Sequence, residues 1–186
     1  MASTQVSTEI ENKNYLGIPK AVFLEDVDSY MKNSDENAEA ALKKLDELHN
    51  KYKYMELNLN TKKERLKAQI PDITKSLDII SHLQNKKTSS EAMETRFLLS
   101  DQVYAKARVP PTDKVCLWLG ANIMLEYNLD DAEALLRKNQ AAAGESLKQV
   151  EEQLSYITEQ TTTLEVNMAR VYNYDVKKRR QTEQKS

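Results

Sequence analysis

The sequence has few of the residues that break helices or fill a dense globular core. Among its 186 residues are three Gly, four Pro, one Cys and one Trp, and aromatic residues make up only 6%. So little Gly and Pro argues against a loop-rich or all-β fold. The single cysteine, Cys116, excludes an intramolecular disulfide framework and is typical of a reducing compartment.

Long apolar runs are also missing. No stretch approaches the roughly 20 consecutive apolar residues of a membrane span, and residues 1–14 lack the apolar core of a signal peptide. The formal net charge is −2, so no overall field attracts the chain to nucleic acid or to anionic lipid. We therefore expect a soluble, cytoplasmic protein that binds neither nucleic acid nor membrane.

Residues with catalytic or metal-binding spacing are equally scarce. The sequence has no Gly-rich phosphate loop, no metal-spaced Cys/His cluster and no nucleophile with a plausible base. Cys116 lies within an apolar run, where we expect a buried small residue, and His49 and His82 are far apart on one predicted helix. The interpretation is a protein that is not an enzyme and has no cofactor.

Charged residues, 30% of the chain, alternate with apolar ones at coiled-coil spacing in both halves. The first predicted seam is Leu42, Leu45, His49, Tyr52, Glu56, Leu59, Lys63, Leu66, Ile70, Ile73, Leu77, Ile80 and Gln84. The second is Leu129, Glu133, Leu136, Gln140, Ala143, Leu147, Val150, Leu154, Ile157, Thr161, Leu164, Met168 and Val171. Two arms of similar length around a central connector predict an antiparallel pair of long helices.

Pairing the arms end to end gives a register for this helix pair. It places His49 opposite the region of Ala169, Glu56 opposite residues 161–163, and Lys63 opposite Ser155. Pro71 interrupts the first arm, and a Pro inside a helix removes a hydrogen bond and bends the helix. The small residues 141–144 would face it, so we predict a kink that the partner helix follows.

Between the arms, residues alternate with the period of two that is typical of β-strands. "RFLLS" and "VYAKARV" predict one hairpin with a turn at residues 100–102. "VCLWL" and "NIMLEY" predict a second hairpin around Gly120, Ala121 and Asn122, which are residue types that suit a positive φ. The predicted order is helix, two hairpins, helix.

The segment "VCLWL" is apolar on both faces of its strand, which ordinarily means burial on both sides. Two small hairpins in one chain leave a sheet face and two edges uncovered. Exposing about five large side chains would forfeit roughly 1.5–3 kcal/mol each, as an upper bound. We interpret the hairpins as an assembly interface, pooled between several copies or relatives.

The order of elements and three segments carry a resemblance to a known family. The segments are "GIPKAVFLEDVDSYM", "METRFLLSDQVYAKARVPPTDKVCLWLGANIMLEYN" and "EVNMARVYNYDVKKRR". Together they resemble the α-type subunits of prefoldin, over roughly residues 15–180. The second hairpin departs from the archaeal members, whose turn is Gly-rich, since here only Gly120 is present.

The resemblance implies a mainly α fold, a long antiparallel two-helix coiled coil joined by two β-hairpins that form an intersubunit β-barrel. It implies a heterohexamer of two α-type and four β-type subunits, which binds unfolded actin and tubulin and transfers them to the cytosolic chaperonin without ATP. The residues implied in subunit assembly are Phe97, Leu99, Val103, Val109, Val115, Leu117, Trp118, Ile123 and Leu125. Those implied in a client-binding tip are Leu42, Leu45, Leu48, Met168 and Tyr172.

The expected organisation has a tail at each end. Residues 1–36 form an N-terminal tail with a short amphipathic segment at 18–31, whose docking site the sequence does not identify. Residues 37–180 form a single domain, with a helix at 37–87, hairpins at 94–128 and a helix at 130–180. A polar tail follows at 181–186.

Three questions stay open at this stage. The polar seam residues near the tip either loosen it for client contact or only fix the helix register. The basic cluster 177–180 either complements the helix dipole or serves nuclear import, nucleic-acid contact or chaperonin contact, so a nuclear pool is left open. The alternative function is a coiled-coil scaffold or tether that dimerises through its β-hairpins.

Overall fold

The computed structural model describes residues 17–33, 37–87 and 91–183 of the chain. Of the predicted tails, residues 1–16, 34–36 and 184–186 lie outside these ranges. The elements are α1 (Val27–Asn33), α2 (Ala38–Lys86), β1 (Met93–Ser100), β2 (Val103–Val109), β3 (Lys114–Gly120), β4 (Ile123–Asn128) and α3 (Leu129–Glu183). The prediction of a mainly helical fold with two antiparallel hairpins is confirmed.

The chain divides into two compact units. We call the first the strap unit; its described residues are 17–33, 37–64 and 148–183. The second is the hairpin unit, with described residues 65–87 and 91–147. Within the described ranges, no helix combines the length and apolar character needed to cross a membrane.

In the strap unit, α2 and α3 pack through the predicted seam. Tyr52, Val150, Ile157 and Val171 have no exposed surface, and Leu164 is 1% exposed. The apolar residues recur at heptad spacing, so each helix presents one continuous stripe to the other. An additional layer covers this seam, because residues 17–33 pack onto it from outside.

In the hairpin unit, the core lies where the helices meet the second hairpin. Ile80, Leu129 and Ala132 are buried, and the half-buried Val115 and Leu117 of β3 pack against them. Gln84 crosses between the helices and donates to Asp130 and Glu133, at 3.1 and 2.9 Å.

The hydrogen bonds from Gln84 and then from Arg137 lower the pKa of the Glu133 carboxyl.

The first long helix, α2, continues through Pro71 as a single helix. The kink at this position stays a prediction.

The hairpin turns contain residues at positive φ, a conformation that suits Gly120 and Asn122 and is uncommon for Ala121 and Gln102. Ala121 and Asn122 have φ values of 48° and 63°, and they connect the paired residues Gly120 and Ile123. Two positive values at the centre of a two-residue loop match the twist of the flanking strands. In the first hairpin, Gln102 has a φ of 64°.

The predicted helix register differs from the observed side-chain contacts by up to about one turn. His49 contacts Glu165 at 3.0 Å, one turn before Ala169, and Lys63 pairs with Glu151 at 3.1 Å while lining the same cavity as Ser155. Heptad periodicity identifies the buried stripe, but sliding one helix by a turn brings another apolar layer into contact. Periodicity alone therefore leaves this register undecided.

The predicted C-terminal boundary also differs from the structure. α3 continues to Glu183, whereas the helix was expected to end at residue 180. Arg179 forms an ion pair with Asp175 one turn earlier, and this pairing across the last turns supports a longer helix.

Candidate functional site

The two hairpins carry an unusual amount of exposed apolar surface. On the first hairpin, Phe97 and Leu99 are both 63% exposed. On the second, Trp118 is 60% exposed. The large hydrophobic residues exposed on the four strands are Phe97, Leu98, Leu99, Val103, Tyr104, Trp118, Leu119, Ile123, Met124 and Leu125. Exposed apolar residues of this size side by side mark an interaction surface rather than ordinary surface scatter.

The second hairpin is covered on one side by its own chain. Val115 and Leu117 pack on the helical core of the hairpin unit, so the chain itself covers one side of "VCLWL" and not both. The opposite face of β3 carries Trp118 and Cys116. Cys116 is exposed, so the expectation of a buried cysteine is wrong for the single chain, and Trp118 lines a surface cavity of the hairpin unit with Ile73 and Leu136.

The predicted assembly residues do not all behave alike. Val109, Val115 and Leu117 are half-buried. The other six are among the exposed apolar residues above: Phe97, Leu99, Val103, Trp118, Ile123 and Leu125. The sequence reasoning missed Leu98, Tyr104 and Met124, which are 56–59% exposed. These three residues were not among those that the resemblance implied, although their apolar character was a signal that both faces of the hairpins are available for contacts.

A second feature lies in the strap unit, where residues 17–33, here called the strap, dock on both long helices. Ile18 and Ala21 join Tyr52, Ile157 and Leu164 in one buried cluster. Val27 and Met31 of α1 join Ala38, Ala41 and Val171 in another. This placement answers where residues 18–31 dock.

Four side chains hold the extended part of the strap by its backbone. The Tyr52 hydroxyl donates to the carbonyl of Pro19 at 2.7 Å, and Gln160 accepts from the amide of Ala21 at 2.9 Å. Arg170 donates to the carbonyl of Glu25 at 2.7 Å. Burial, followed by the nearby Tyr156, raises the pKa of Tyr52, so its hydroxyl stays protonated and able to donate.

Asn167 makes the most specific of these contacts. Its side chain is 2% exposed, donates to the carbonyl of Val22 at 2.8 Å and accepts from the amide of Leu24 at 2.9 Å. One carboxamide thus binds the two backbone groups that flank Phe23, as a neighbouring β-strand would. The sequence reasoning missed Gln160 and Asn167; the available signal was their heptad spacing beside the buried Ile157 and Leu164.

The predicted tip residues lie in and around this region. Leu42, Leu45, Leu48 and Met168 are half-buried and pack against the two strap clusters, whereas Tyr172 is 59% exposed. The structure therefore brings these residues together, but four of them lie in a core that the strap helps to close.

The basic cluster 177–180 is engaged with its own helix. Arg179 pairs with Asp175, and the Lys178 ammonium lies 5.9 Å from the centre of the Tyr174 ring. These contacts favour a local role at the helix end. Among the residues that the structure describes, no group of His, Cys, Asp or Glu side chains is arranged to hold a metal ion.

Comparison with known proteins identifies the family. A family model described as "Prefoldin subunit" matches residues 52–174. Prefoldin subunit 3 of Homo sapiens is 58% identical over 176 residues, covering 94% of this chain and 89% of the human protein. The chain belongs to the prefoldin family.

Similarity extends to more distant relatives. Prefoldin subunit 3 of Drosophila melanogaster is 50% identical and covers 96% of this chain, with 92% of its own length matched. A probable prefoldin subunit 3 of Dictyostelium discoideum is 36% identical over 92% of this chain and 86% of its own length.

A solved structure supports the fold. The cryo-EM structure of filamentous PFD from Methanocaldococcus jannaschii matches with a TM-score of 0.51 and 19% identity. The match covers 63% of this chain and 95% of the archaeal one.

Proposed function

We propose that the protein is a subunit of a heterohexameric prefoldin co-chaperone, with two α-type and four β-type subunits. The hexamer binds unfolded or nascent polypeptides, including actin and tubulin, and transfers them to the cytosolic chaperonin without ATP. It works in the cytoplasm, and the basic cluster 177–180 leaves room for a nuclear pool. Membership of the prefoldin family supports the co-chaperone role.

The observation that carries the assembly role is the exposed apolar surface of the hairpins. Large hydrophobic residues that are 46–63% exposed line all four strands. Exposed strand edges invite pairing with other chains, and closing several hairpins into a shared β-barrel removes those edges. Phe97, Trp118 and Leu125 would then lie in the barrel interior or in contact with a neighbouring subunit.

The client-binding role rests on apolar residues near the strap. Val22, Phe23, Val166 and Tyr172 are 42–73% exposed. Tyr and Phe suit contact with varied apolar segments because they bury a large area with few rotatable bonds. Several subunits presenting such weak contacts would bind one unfolded chain by multivalency.

The test is suppression of client aggregation by the assembled complex. A double variant, Val166→Ser with Tyr172→Ser, removes two exposed apolar side chains of α3 and is expected to weaken capture of denatured actin about thirtyfold, since each contact contributes on the order of 1 kcal/mol. The matched control is Tyr54→Ser with Leu57→Ser, residues that are 67% and 64% exposed on α2. Equal capture by the test variant and the control would refute client contact at this surface.

A further inference from the structure

The strap groove recognises its occupant through backbone atoms. Tyr52, Gln160, Asn167 and Arg170 bind carbonyls or amides of residues 19, 21, 22, 24 and 25. Recognition of an extended peptide by its main chain provides affinity without a fixed sequence, and pockets for some of its side chains provide selectivity. The groove therefore has the chemistry of a general binding site for extended polypeptide.

The side-chain preferences of the groove are visible in the strap. Ile18 and Ala21 are buried against Tyr52, Ile157 and Leu164, whereas Val22 and Phe23 are 73% and 47% exposed. An occupant consequently needs buried apolar side chains at only some positions, and the Phe23 ring lies at the edge of the groove, 5.1 Å from the Arg170 guanidinium. Unfolded polypeptides offer many segments that satisfy this requirement.

Two polar side chains are buried where the strap backbone contacts the groove. Gln160 is 8% exposed and Asn167 is 2% exposed, and each is bonded to the strap backbone. A buried carboxamide without partners is destabilising. An empty groove is therefore unfavourable, which favours exchange of one extended segment for another over simple loss of the strap.

We propose that this groove is a binding site for extended apolar segments of client polypeptides, and that the strap occupies it as an intramolecular competitor. Displacement of the strap would also uncover Leu42, Leu45, Leu48 and Met168, which pack against the strap clusters. The client as ligand rests on the proposed function, whereas strap exchange can be measured by itself.

The first test uses a fluorescent synthetic peptide of residues 17–33 and the full chain assembled with its partner subunits. The strap is loosened by Val27→Ser with Met31→Gln, which changes two buried anchors of α1 and none of the four groove residues. Peptide binding measured by anisotropy is expected to be roughly tenfold tighter than to the parent complex. Adding Asn167→Leu to the loosened chain should abolish this gain.

Chemical variants of the peptide provide a matched control. Methylation of the Leu24 amide nitrogen removes the hydrogen bond to Asn167, and binding should weaken roughly tenfold. Methylation of the Val22 amide nitrogen, whose peptide group is bonded to neither Gln160 nor Asn167, should leave binding close to that of the parent peptide. Equal effects of the two methylations, or no gain on loosening the strap, would overturn the proposal.

Hydrogen exchange on the unmodified complex guards against a loosened variant that fails to fold. If the strap is exchanged for other segments, the hydrogen bonds of the Ala21 and Leu24 amides must open far more often than those of the Val150 and Ile157 amides in the helix core. Opening of all four only in global unfolding would refute the proposal.

A client assay then separates the two ideas. Capture of denatured actin by the parent complex tests the proposed function alone. If the parent captures actin and neither the loosened strap nor Asn167→Leu changes that capture, the groove proposal is wrong and the proposed function stands. If the parent captures no actin while strap exchange is observed, the proposed function is wrong and the groove remains a peptide site.

Discussion

Replacing Trp118 with Ser should break assembly while leaving the fold of the single chain intact. Trp118 is 60% exposed, and a Trp buries roughly 200 Å² when fully covered, so a partner would cover about 120 Å² more. At about 25 cal/mol per Å², this contact contributes about 3 kcal/mol. The variant should therefore assemble about a hundredfold more weakly.

The assay is sedimentation of the variant mixed with its partner subunits over a range of concentrations. Tyr54→Ser is the matched control, because Tyr54 is an aromatic residue 67% exposed on α2 and lies outside the hairpins. The covered part of the ring, about 80 Å², contributes about 2 kcal/mol at the same rate, so the isolated Trp118 variant should still fold, with a modestly lower thermal midpoint than the parent. Assembly as tight as the parent's would refute the role of the second hairpin as an interface.

Three further predictions concern the contacts within each unit. Tyr52→Phe removes the hydrogen bond to Pro19 and should lower the free energy of unfolding by about 1 kcal/mol, measured by urea denaturation. Ala143→Leu places a large side chain at a buried position in the hairpin unit and should cost about 1–3 kcal/mol in the same assay, whereas Ala142→Leu at an exposed neighbour should not. Hydrogen bonds from Ser29 lower the pKa of Asp26 below its ordinary 3.8. The stabilisation of α1 by this carboxylate is therefore present above pH 3.8 and is lost as the pH falls through the lower pKa of the folded state. Asp26→Asn should remove this acid dependence of α1 helicity, measured by acid titration, and an unchanged acid transition would contradict the prediction.

The elements of the fold could be predicted because local chemistry determines them. Alternating residues and a Gly-Ala-Asn turn specify the second hairpin, and the turn residues do adopt positive φ values. Heptad spacing specified the buried stripe that includes Tyr52, Ile157 and Leu164. Such features depend on residues that are near each other in the sequence.

The strap and the register depend on contacts between distant residues. Asn167 looks like an ordinary polar helix residue until Val22 and Leu24 dock beside it. Likewise, the contact between His49 and Glu165 selects one of several sliding positions that the same periodicity permits. Heptad spacing places Gln160 and Asn167 beside the buried seam, but it does not show which distant segment docks there, so the strap contacts could be identified only from the structure.

The central claim is that the chain works as one subunit of a six-subunit co-chaperone. Native mass spectrometry of the chain, affinity-purified at low stringency from its own cytosol, tests it most directly. The account predicts a particle of six chains in which the others are small coiled-coil subunits of the same family. A homodimer, or a complex with one long partner, would contradict it and would indicate a tether that dimerises through its hairpins.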